Sequence, residues 1–291
     1  MKTIRYFLLF AICLLVPACG SEKHDQTDDS LISDGTDNIE KEEISCDEYE
    51  FTNYEFKYEA YIQDLLECMN MPRPADSYNY PVYPCMEEWK SFRTGQEMED
   101  ACQVHVCALD KLSTQALIQA IWESPFIMTM YAHDDQRVVP LSFLRNNNAG
   151  VELLKRSDAG KGLYERLIQM SVSRENIRSR AIFDFLCIFI SHEVFLSQLS
   201  TDEMKTLIIT MLNNVWLQDD TDFFLLRPST AFLTARILLS ANYAPFVDAV
   251  NNNDDLKSFL YSSSGYIHAV WGVGNDITQY IIEFGKQFIE N

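Results

Sequence analysis

AIFDFLCIFI, residues 181–190, is an apolar run in which Asp184 is the single charged residue. Apolar side chains would cover nearly all sides of a helix here, so we expect a central helix that other helices pack all round. Its length of about 15 Å is half of a ~30 Å hydrocarbon core, which argues against a membrane span. A buried Asp184 needs a partner. Arg180, one turn earlier, is placed for an ion pair, and a buried functional acid is the alternative.

Amphipathic helices are predicted on both sides of this run. Apolar residues recur at intervals of three and four, and no comparable alternation of strand length occurs. The stretches LSTQALIQAI, LSTDEMKTLI and PSTAFLTARI are alike but unequally spaced, so no fixed repeat length emerges. We therefore predict an all-α, irregular multi-helix domain, of which a HEAT-like helical array is one form. The clearest apolar stripe is Met204, Leu207, Ile208, Met211, Leu212 and Val215.

Local signals mark where helices begin. Ser200 and Glu203 have the spacing of a capping box, in which each side chain satisfies a backbone N–H of the other residue. Ser113 and Ser229 precede similar stretches and are predicted N-caps, and Pro228 marks a helix boundary.

MPRPADSYNYPVYP, residues 71–84, interrupts the helical pattern. Its four prolines and three tyrosines predict an extended loop rather than a helix. Because Cys68 and Cys85 bound this loop, it could be held against the helical body. The loop belongs to a Cys-rich helical region, residues 46–110, and a second helical region follows at residues 111–291.

The first 18 residues have the parts of a secretory signal peptide. Lys2 and Arg5 form a charged start, and an apolar run from Phe7 to Val16 follows. This run is too short to remain as a membrane span. Because the pattern as a whole is that of a signal peptide, we expect an exported protein.

VPACG, residues 16–20, resembles the lipobox of bacterial lipoproteins, with Pro17 as a mild departure. That resemblance implies that Cys19 receives a diacylglyceryl group and becomes the mature N-terminus, and two or three acyl chains give stable membrane attachment. The alternative is an ordinary signal peptide cut after Ala18. Gly20 stands where lipoproteins kept at the inner membrane usually carry Asp, so the resemblance favours the outer membrane, on its periplasmic or its cell-surface face.

Residues 19–45 read as a tether. They are acidic, contain no aromatic residue and almost nothing apolar, so they cannot bury enough surface to fold and should stay disordered. The net charge of −20 for the whole chain argues against nucleic acid as a partner, because phosphate binding needs clustered Lys and Arg.

Cysteines are concentrated near the start of the folded part. In an exported protein this favours disulfides, although an odd number leaves at least one cysteine unpaired or paired elsewhere. Cys187, in its apolar run, is expected to be a small buried hydrophobe. A zinc site at CQVHVC, residues 102–107, lacks the usual C-x₂-C pairs, and no metal or cofactor is predicted. Cys102 and Cys107 would point in different directions on one helix, so they could bond only if the helix breaks between them. The candidate disulfide cysteines are Cys46, Cys68, Cys85, Cys102 and Cys107.

Two short segments are candidate binding sites. His133-Asp134-Asp135 joins an imidazole to two carboxylates and could bind a cation or act as a base, with a solvated loop as the alternative. Tyr266, His268 and Trp271 could stack on a sugar or a peptide aromatic, with packing of the last helix as the alternative. The usual sequence templates of catalytic sites are absent, so no catalytic residue is assigned.

Three longer stretches carry a family resemblance. Residues 76–104, 111–126 and 146–167 resemble an uncharacterised group of exported Bacteroidetes proteins that are predicted to be helical and are often lipoproteins. The resemblance implies export and lipid attachment and no particular reaction, ligand or catalytic residue.

Together these patterns predict a lipid-anchored envelope protein with a non-catalytic binding or scaffold role towards another envelope protein. An enzyme that acts on envelope glycan or peptide through scattered carboxylates is the first alternative. A small-ligand carrier with an enclosed apolar cavity is the second.

Overall fold

The computed structural model describes residues 72–83, 86–127, 133–170, 172, 177–216, 226–270 and 275–291. These residues are mostly helical and hold no β-strand, which confirms the all-α class. The HEAT-like form stays a prediction, since helix lengths differ from 4 to 16 residues. None of the described helices has the length and apolar character that crossing a bilayer requires. In chain order they are α1 (Glu87–Ser91), α2 (Gly95–Ala101), α3 (Val106–Leu109), α4 (Thr114–Glu123), α5 (Val138–Asn146), α6 (Asn148–Leu153), α7 (Ala159–Gln169), α8 (Ile177–Ile190), α9 (Glu193–Leu196), α10 (Thr201–Trp216), α11 (Leu226–Ser240), α12 (Ala244–Asn252), α13 (Asp254–Tyr261), α14 (Ser263–Val270) and α15 (Asn275–Glu290).

Helix α8 is the centre of the domain. Every residue from Ala181 to Ile190 is buried, and α5, α7 and α11 pack around the helix. Phe185 meets Phe143 of α5 edge to face with ring centroids 5.4 Å apart, and Phe189 stacks on Phe195 at 5.5 Å. Each large apolar side chain buried in this way contributes about 1.5–3 kcal/mol. The prediction of a central helix in this run is therefore confirmed.

Helix α11 is the second buried helix, and it corrects one prediction. It begins at Leu226, so Ser229 lies in its first turn and is not an N-cap. Pro228 is accepted there because the first turn of a helix leaves its N–H groups unpaired in any case. The buried hydroxyl of Ser229 donates instead to the Asp184 carboxylate of α8. The two central helices are thus joined by a polar contact inside an apolar core.

The other predicted helix starts are confirmed. Ser113 accepts a hydrogen bond from the Ala116 N–H at 3.2 Å and caps α4. Ser200 accepts from the Glu203 N–H at 3.3 Å, and the Ser200 N–H donates to the Glu203 carboxylate at 2.8 Å. Both bonds of the predicted capping box before α10 are therefore present.

Residues 72–83 form no helix, as their composition predicts, and they pack on α4. The buried Tyr80 donates its hydroxyl to the Ala120 carbonyl at 2.9 Å. Arg73 donates through two nitrogens to both carboxylate oxygens of the fully buried Glu123, each at 2.8 Å. The loop is therefore held on the helical body by a tyrosine and a bidentate ion pair.

A glycine sets the approach of α6 to α5. A Cβ on Gly150 would lie 2.1 Å from the carbonyl oxygen of Phe143, so only glycine allows these two helices to approach this closely. Asn147, between the helices, caps α6 by accepting from the N–H groups of Ala149 and Gly150. This tight corner fixes the position of α5, which borders the cleft described below.

Candidate functional site

The structure places the residues of the two predicted candidate segments in different environments. His133 and Asp134 are exposed, whereas Asp135 is buried. Tyr266 is fully buried in α14. The side chain of His268, together with Trp271 and Cys19, lies outside the described residues. Adjacent residues of the first segment therefore point to different surroundings and do not converge on one ligand.

Asp135 and Tyr266 are brought together by Arg137, a residue that the sequence analysis did not single out. The Arg137 guanidinium donates to both carboxylate oxygens of Asp135, at 2.9 and 2.8 Å. Its carbon lies 4.4 Å from the centroid of the Tyr266 ring and 5.2 Å from that of Phe232. We call Asp135, Arg137, Tyr266 and Phe232 the Arg137 cluster.

The same guanidinium caps the end of α13. It donates to the carbonyl oxygens of Phe259, Leu260 and Ser262 at 3.1, 3.2 and 2.9 Å. The carbonyls of Phe259 and Leu260 lie in the last turn of α13, where they have no partner within the helix and carry the negative end of its dipole. The Ser262 carbonyl follows the helix and also accepts from the Tyr266 N–H at 3.4 Å. Arg137 thus ties the turn before α5 to the junction of α13 and α14.

The Arg137 cluster is closed to chemistry, because its charges already satisfy one another. Burial alone would raise the pKa of Asp135, but the hydrogen bonds and positive charge of Arg137 outweigh it and hold that pKa below its ordinary value. All three nitrogens of the guanidinium are engaged. Asp135 is therefore neither an available base nor a free cation ligand.

Tyr266 also borders the buried acid of α8. Burial, and next the charge of Asp184, raise the pKa of the Tyr266 hydroxyl well above its ordinary value. This hydroxyl and that of Thr230 are buried and have no hydrogen-bond partner among the described residues. The alternative reading of Tyr266 as a packing residue is therefore supported, and its face is not available for stacking on a sugar.

An open cleft of about 430 Å³ lies beside the Arg137 cluster, between the α2–α3 connection and α5. We call it the α2–α5 cleft. Its apolar part comes from both sides of the cleft and includes the exposed Val138 and the partly buried Phe126. Its lining residues are Glu99, Cys102, Gln103, Phe126, His133, Val138, Val139, Ser142, Phe143, Asn146 and Asn147.

Some polar groups of this lining are already used by the fold. Gln103 accepts from the Asn148 N–H at 2.8 Å, Asn147 donates to the Cys102 carbonyl at 3.1 Å, and Ser142 donates to the Val139 carbonyl at 2.8 Å.

Three other polar side chains of the cleft are not used in this way. Glu99, His133 and Asn146 make no side-chain hydrogen bond or ion pair within the described part of the chain. A carboxylate, an imidazole and an amide therefore remain for a ligand. The sequence offered no signal for this grouping apart from His133, because Glu99 and Asn146 lie on different helices.

The three described cysteines are two buried free thiols and one disulfide-bonded residue. Cys187 is a free thiol buried in α8, as predicted. Cys102 is also free and buried, so it no longer counts as a candidate disulfide cysteine, although α2 does end before it. Cys107 is disulfide-bonded, and its partner lies outside the described residues, as do Cys46, Cys68 and Cys85.

The Cys102 thiol borders the cleft but is not a nucleophile. Burial, reinforced by the nearby charge of Glu99, raises the pKa of Cys102 far above neutral pH. The thiol therefore stays protonated, and a thiolate is the form that attacks a substrate or ligates a metal. Among the described residues, no three His, Cys, Asp or Glu side chains are placed to hold a metal ion.

Comparisons with known proteins add no relative. No protein-family model, no curated protein and no solved structure matches this chain. The resemblance of residues 76–167 to exported Bacteroidetes proteins stays a prediction, and any function has to be inferred from the residues and the geometry.

Proposed function

We propose that this protein is a lipid-anchored envelope protein with a non-catalytic binding role, and that it holds a segment of another envelope protein in the α2–α5 cleft. The observation that carries the binding role is the cleft itself. Its apolar surface is open to solvent, and Glu99, His133 and Asn146 at its border have no partner within the described residues. Covering such a surface with an apolar group lowers the free energy, because apolar area is removed from water.

The chemistry of the cleft favours binding over catalysis. Glu99 is the one carboxylate among the described residues of the lining, whereas hydrolysis of a glycoside uses two carboxyl groups about 5–10 Å apart. The Cys102 thiol is held protonated by its raised pKa. The nearby Asp135 is committed to Arg137. An enzyme that acts through carboxylates would need groups that this cleft does not bring together.

A small-ligand carrier is the second candidate, and the size of the cleft favours it. About 430 Å³ falls within the ~300–1,000 Å³ range of ligand pockets. Carriers, however, enclose most of their ligand, and here Val138 keeps 45% of its surface exposed. An open wall suits a segment that continues beyond the cleft on both sides, as a protein partner does.

The place of action rests on residues that precede the described ones. The signal peptide of residues 1–18 and the lipobox-like VPACG support export and lipid attachment at Cys19. We expect Cys19→Ser to move the protein from washed membranes into the soluble fraction. Retention of this variant on membranes would contradict the lipid anchor.

The binding role is tested by photo-cross-linking in intact cells. A photoreactive side chain at Asn146, on the border of the cleft, should capture one envelope protein at a defined mass. The same side chain at Lys155, an exposed residue that does not line the cleft, is the matched control and should capture none. A mass increase of a few hundred daltons at Asn146, without a protein adduct, would replace the proposed function by the carrier. No adduct at all would contradict both.

A further inference from the structure

The α2–α5 cleft is asymmetric in charge. Among the lining residues that the structure describes, Glu99 supplies a carboxylate and none is a Lys or an Arg. Two exposed charges of opposite sign stand next to lining residues in the chain, Asp134 beside His133 and Arg145 beside Asn146, and they offset each other. The described lining therefore holds one negative charge, that of Glu99, which attracts a cationic group of a partner and repels an anionic one.

The apolar side of the cleft has a defined character. Val138 and Val139 of α5 provide aliphatic surface, and Phe126 provides an aromatic ring that lies 6.1 Å from the ring of Trp89 on α1. Trp89 and Phe92 meet edge to face at 5.6 Å and extend this aromatic surface along α1. A side chain that enters from outside would meet Val138, Val139 and the ring of Phe143 on α5 and the ring of Phe126 beside them.

The size of the cleft limits how much of a partner can enter. Its volume of about 430 Å³ is near the lower end of the range for ligand pockets. That space suits one or two side chains rather than the whole face of a helix. Asn146, exposed at the end of α5, offers an amide that can donate to and accept from a peptide backbone.

From charge, surface and size together, we infer that the occupant of the α2–α5 cleft is a short peptide segment of a partner protein in which a large apolar side chain stands next to a lysine or arginine. The apolar side chain covers Phe126, Val138 and Val139, and the basic group pairs with Glu99. This inference rests on the proposed function and names the chemistry of the partner segment. A peptide with an acidic residue in the second position would place like charges together.

The test uses the full chain as the Cys19→Ser variant and three end-blocked hexapeptides that carry a fluorescent label, with binding read by anisotropy at low salt. The peptides are Gly-Ser-Phe-Arg-Ser-Gly, the same peptide with Glu for Arg, and the same peptide with Ser for Phe. We expect saturable binding of the first, and affinities at least tenfold lower for the other two. Equal affinities for all three, or no binding of the first, would overturn the inference.

Two substitutions place the binding in the cleft. Glu99→Gln should lower the affinity for the Phe-Arg peptide about three- to fivefold, the scale of one solvent-accessible ion pair. It should not lower the affinity for the Phe-Glu peptide. Glu88→Gln, on the exposed surface of α1, is its control and should change nothing. Ser142→Trp fills the cleft and should abolish binding, whereas Ser197→Trp, at an exposed serine with the same kind of hydroxyl-to-carbonyl bond, should not. Thermal melts verify that each variant is folded.

The failure of this inference can be told from the failure of the proposed function. If the photoreactive side chain at position 146 captures an envelope protein in cells but the peptides show no preference for Arg over Glu, the binding role stands. The inference that the partner segment carries a basic residue next to an apolar one is then wrong. If binding of the Phe-Arg peptide survives Ser142→Trp, the peptide binds elsewhere and the inference is likewise wrong. If Asn146 captures nothing and no peptide binds, both fall.

Discussion

One turn of the chain contributes to two neighbouring regions with opposite properties. Residues 133–139 give Asp135 and Arg137 to the Arg137 cluster, and they give His133, Val138 and Val139 to the α2–α5 cleft. In the cluster every charged group meets a partner at 2.8–3.2 Å. In the cleft Glu99 and His133 border apolar surface without a partner in the described part of the chain.

The difference teaches that polarity in the sequence does not separate a structural group from a binding group. Asp135 and His133 stand two residues apart, and their types are equally suited to a site. What separates them is whether the fold has already supplied partners. Substitutions in the cluster should therefore lower stability, and substitutions at the border of the cleft should lower binding and leave stability nearly unchanged.

The largest expected effect is that of Arg137→Met. Methionine keeps part of the volume, but the buried Asp135 loses its counter-ion. The carbonyls of Phe259 and Leu260 lose the guanidinium donor, and the Ser262 carbonyl keeps only the Tyr266 N–H. An uncompensated buried charge typically costs about 3–5 kcal/mol. Urea unfolding of the Cys19→Ser chain, followed by far-UV circular dichroism, measures this loss.

Arg145→Met is the matched control for Arg137→Met. Arg145 is an exposed arginine of the same segment, at the end of α5, and its replacement should change the free energy of unfolding by less than about 0.5 kcal/mol. If Arg137→Met cost less than about 1 kcal/mol, the cluster would not be the clamp that the geometry indicates.

Asp135→Asn should have a smaller effect, because the bonds from Arg137 to the three carbonyls remain. The loss of charge-assisted hydrogen bonds predicts a decrease of about 1.5–3 kcal/mol at neutral pH. The pKa of Asp135 is lowered in the folded state, so its contribution is present above the ordinary value of 3.8 and is lost as the pH falls through the folded pKa.

The pH dependence separates the charge of Asp135 from its shape. The difference in unfolding free energy between the parent chain and Asp135→Asn should be constant near neutral pH and should narrow below about pH 4. Groups such as Glu152, whose pKa is also lowered, titrate equally in both chains and cancel in the difference. A difference that stays constant down to about pH 2 would show that the carboxylate charge does not stabilise the fold.

The parts of the fold that were predictable depend on local sequence. The apolar run 181–190 predicts its own burial because no side of that helix could face water. The caps at Ser113 and Ser200 are predictable since the groups involved are three residues apart. Ser229 was misjudged because Pro228 looks the same whether it precedes a helix or lies in its first turn.

The site was not predictable, for the opposite reason. Arg137 meets Leu260 across 123 residues of sequence, and no local pattern encodes that distance. Glu99 and Asn146 reach the same cleft only because Gly150 and Asn147 set the corner between α5 and α6. Sequence reasoning selected Asp135, His133 and Tyr266 by residue type, and the fold then placed one of them in the cleft and two in the cluster.

The smallest expected effect is that of Tyr266→Phe, and it tests how closed the cluster is. The Tyr266 hydroxyl is buried and has no hydrogen-bond partner among the described residues, so its removal relieves a desolvation cost, while the ring keeps its stack on Phe259 at 5.6 Å and its contact with Arg137. We expect a change within about 0.5 kcal/mol in the free energy of unfolding, towards higher stability.

Tyr80→Phe is the matched control, because the Tyr80 hydroxyl donates to the Ala120 carbonyl, and its loss should cost about 1 kcal/mol. If Tyr266→Phe destabilised the chain as much as Tyr80→Phe does, its hydroxyl would have a partner such as a buried water, and the cluster would be less closed than its direct contacts indicate.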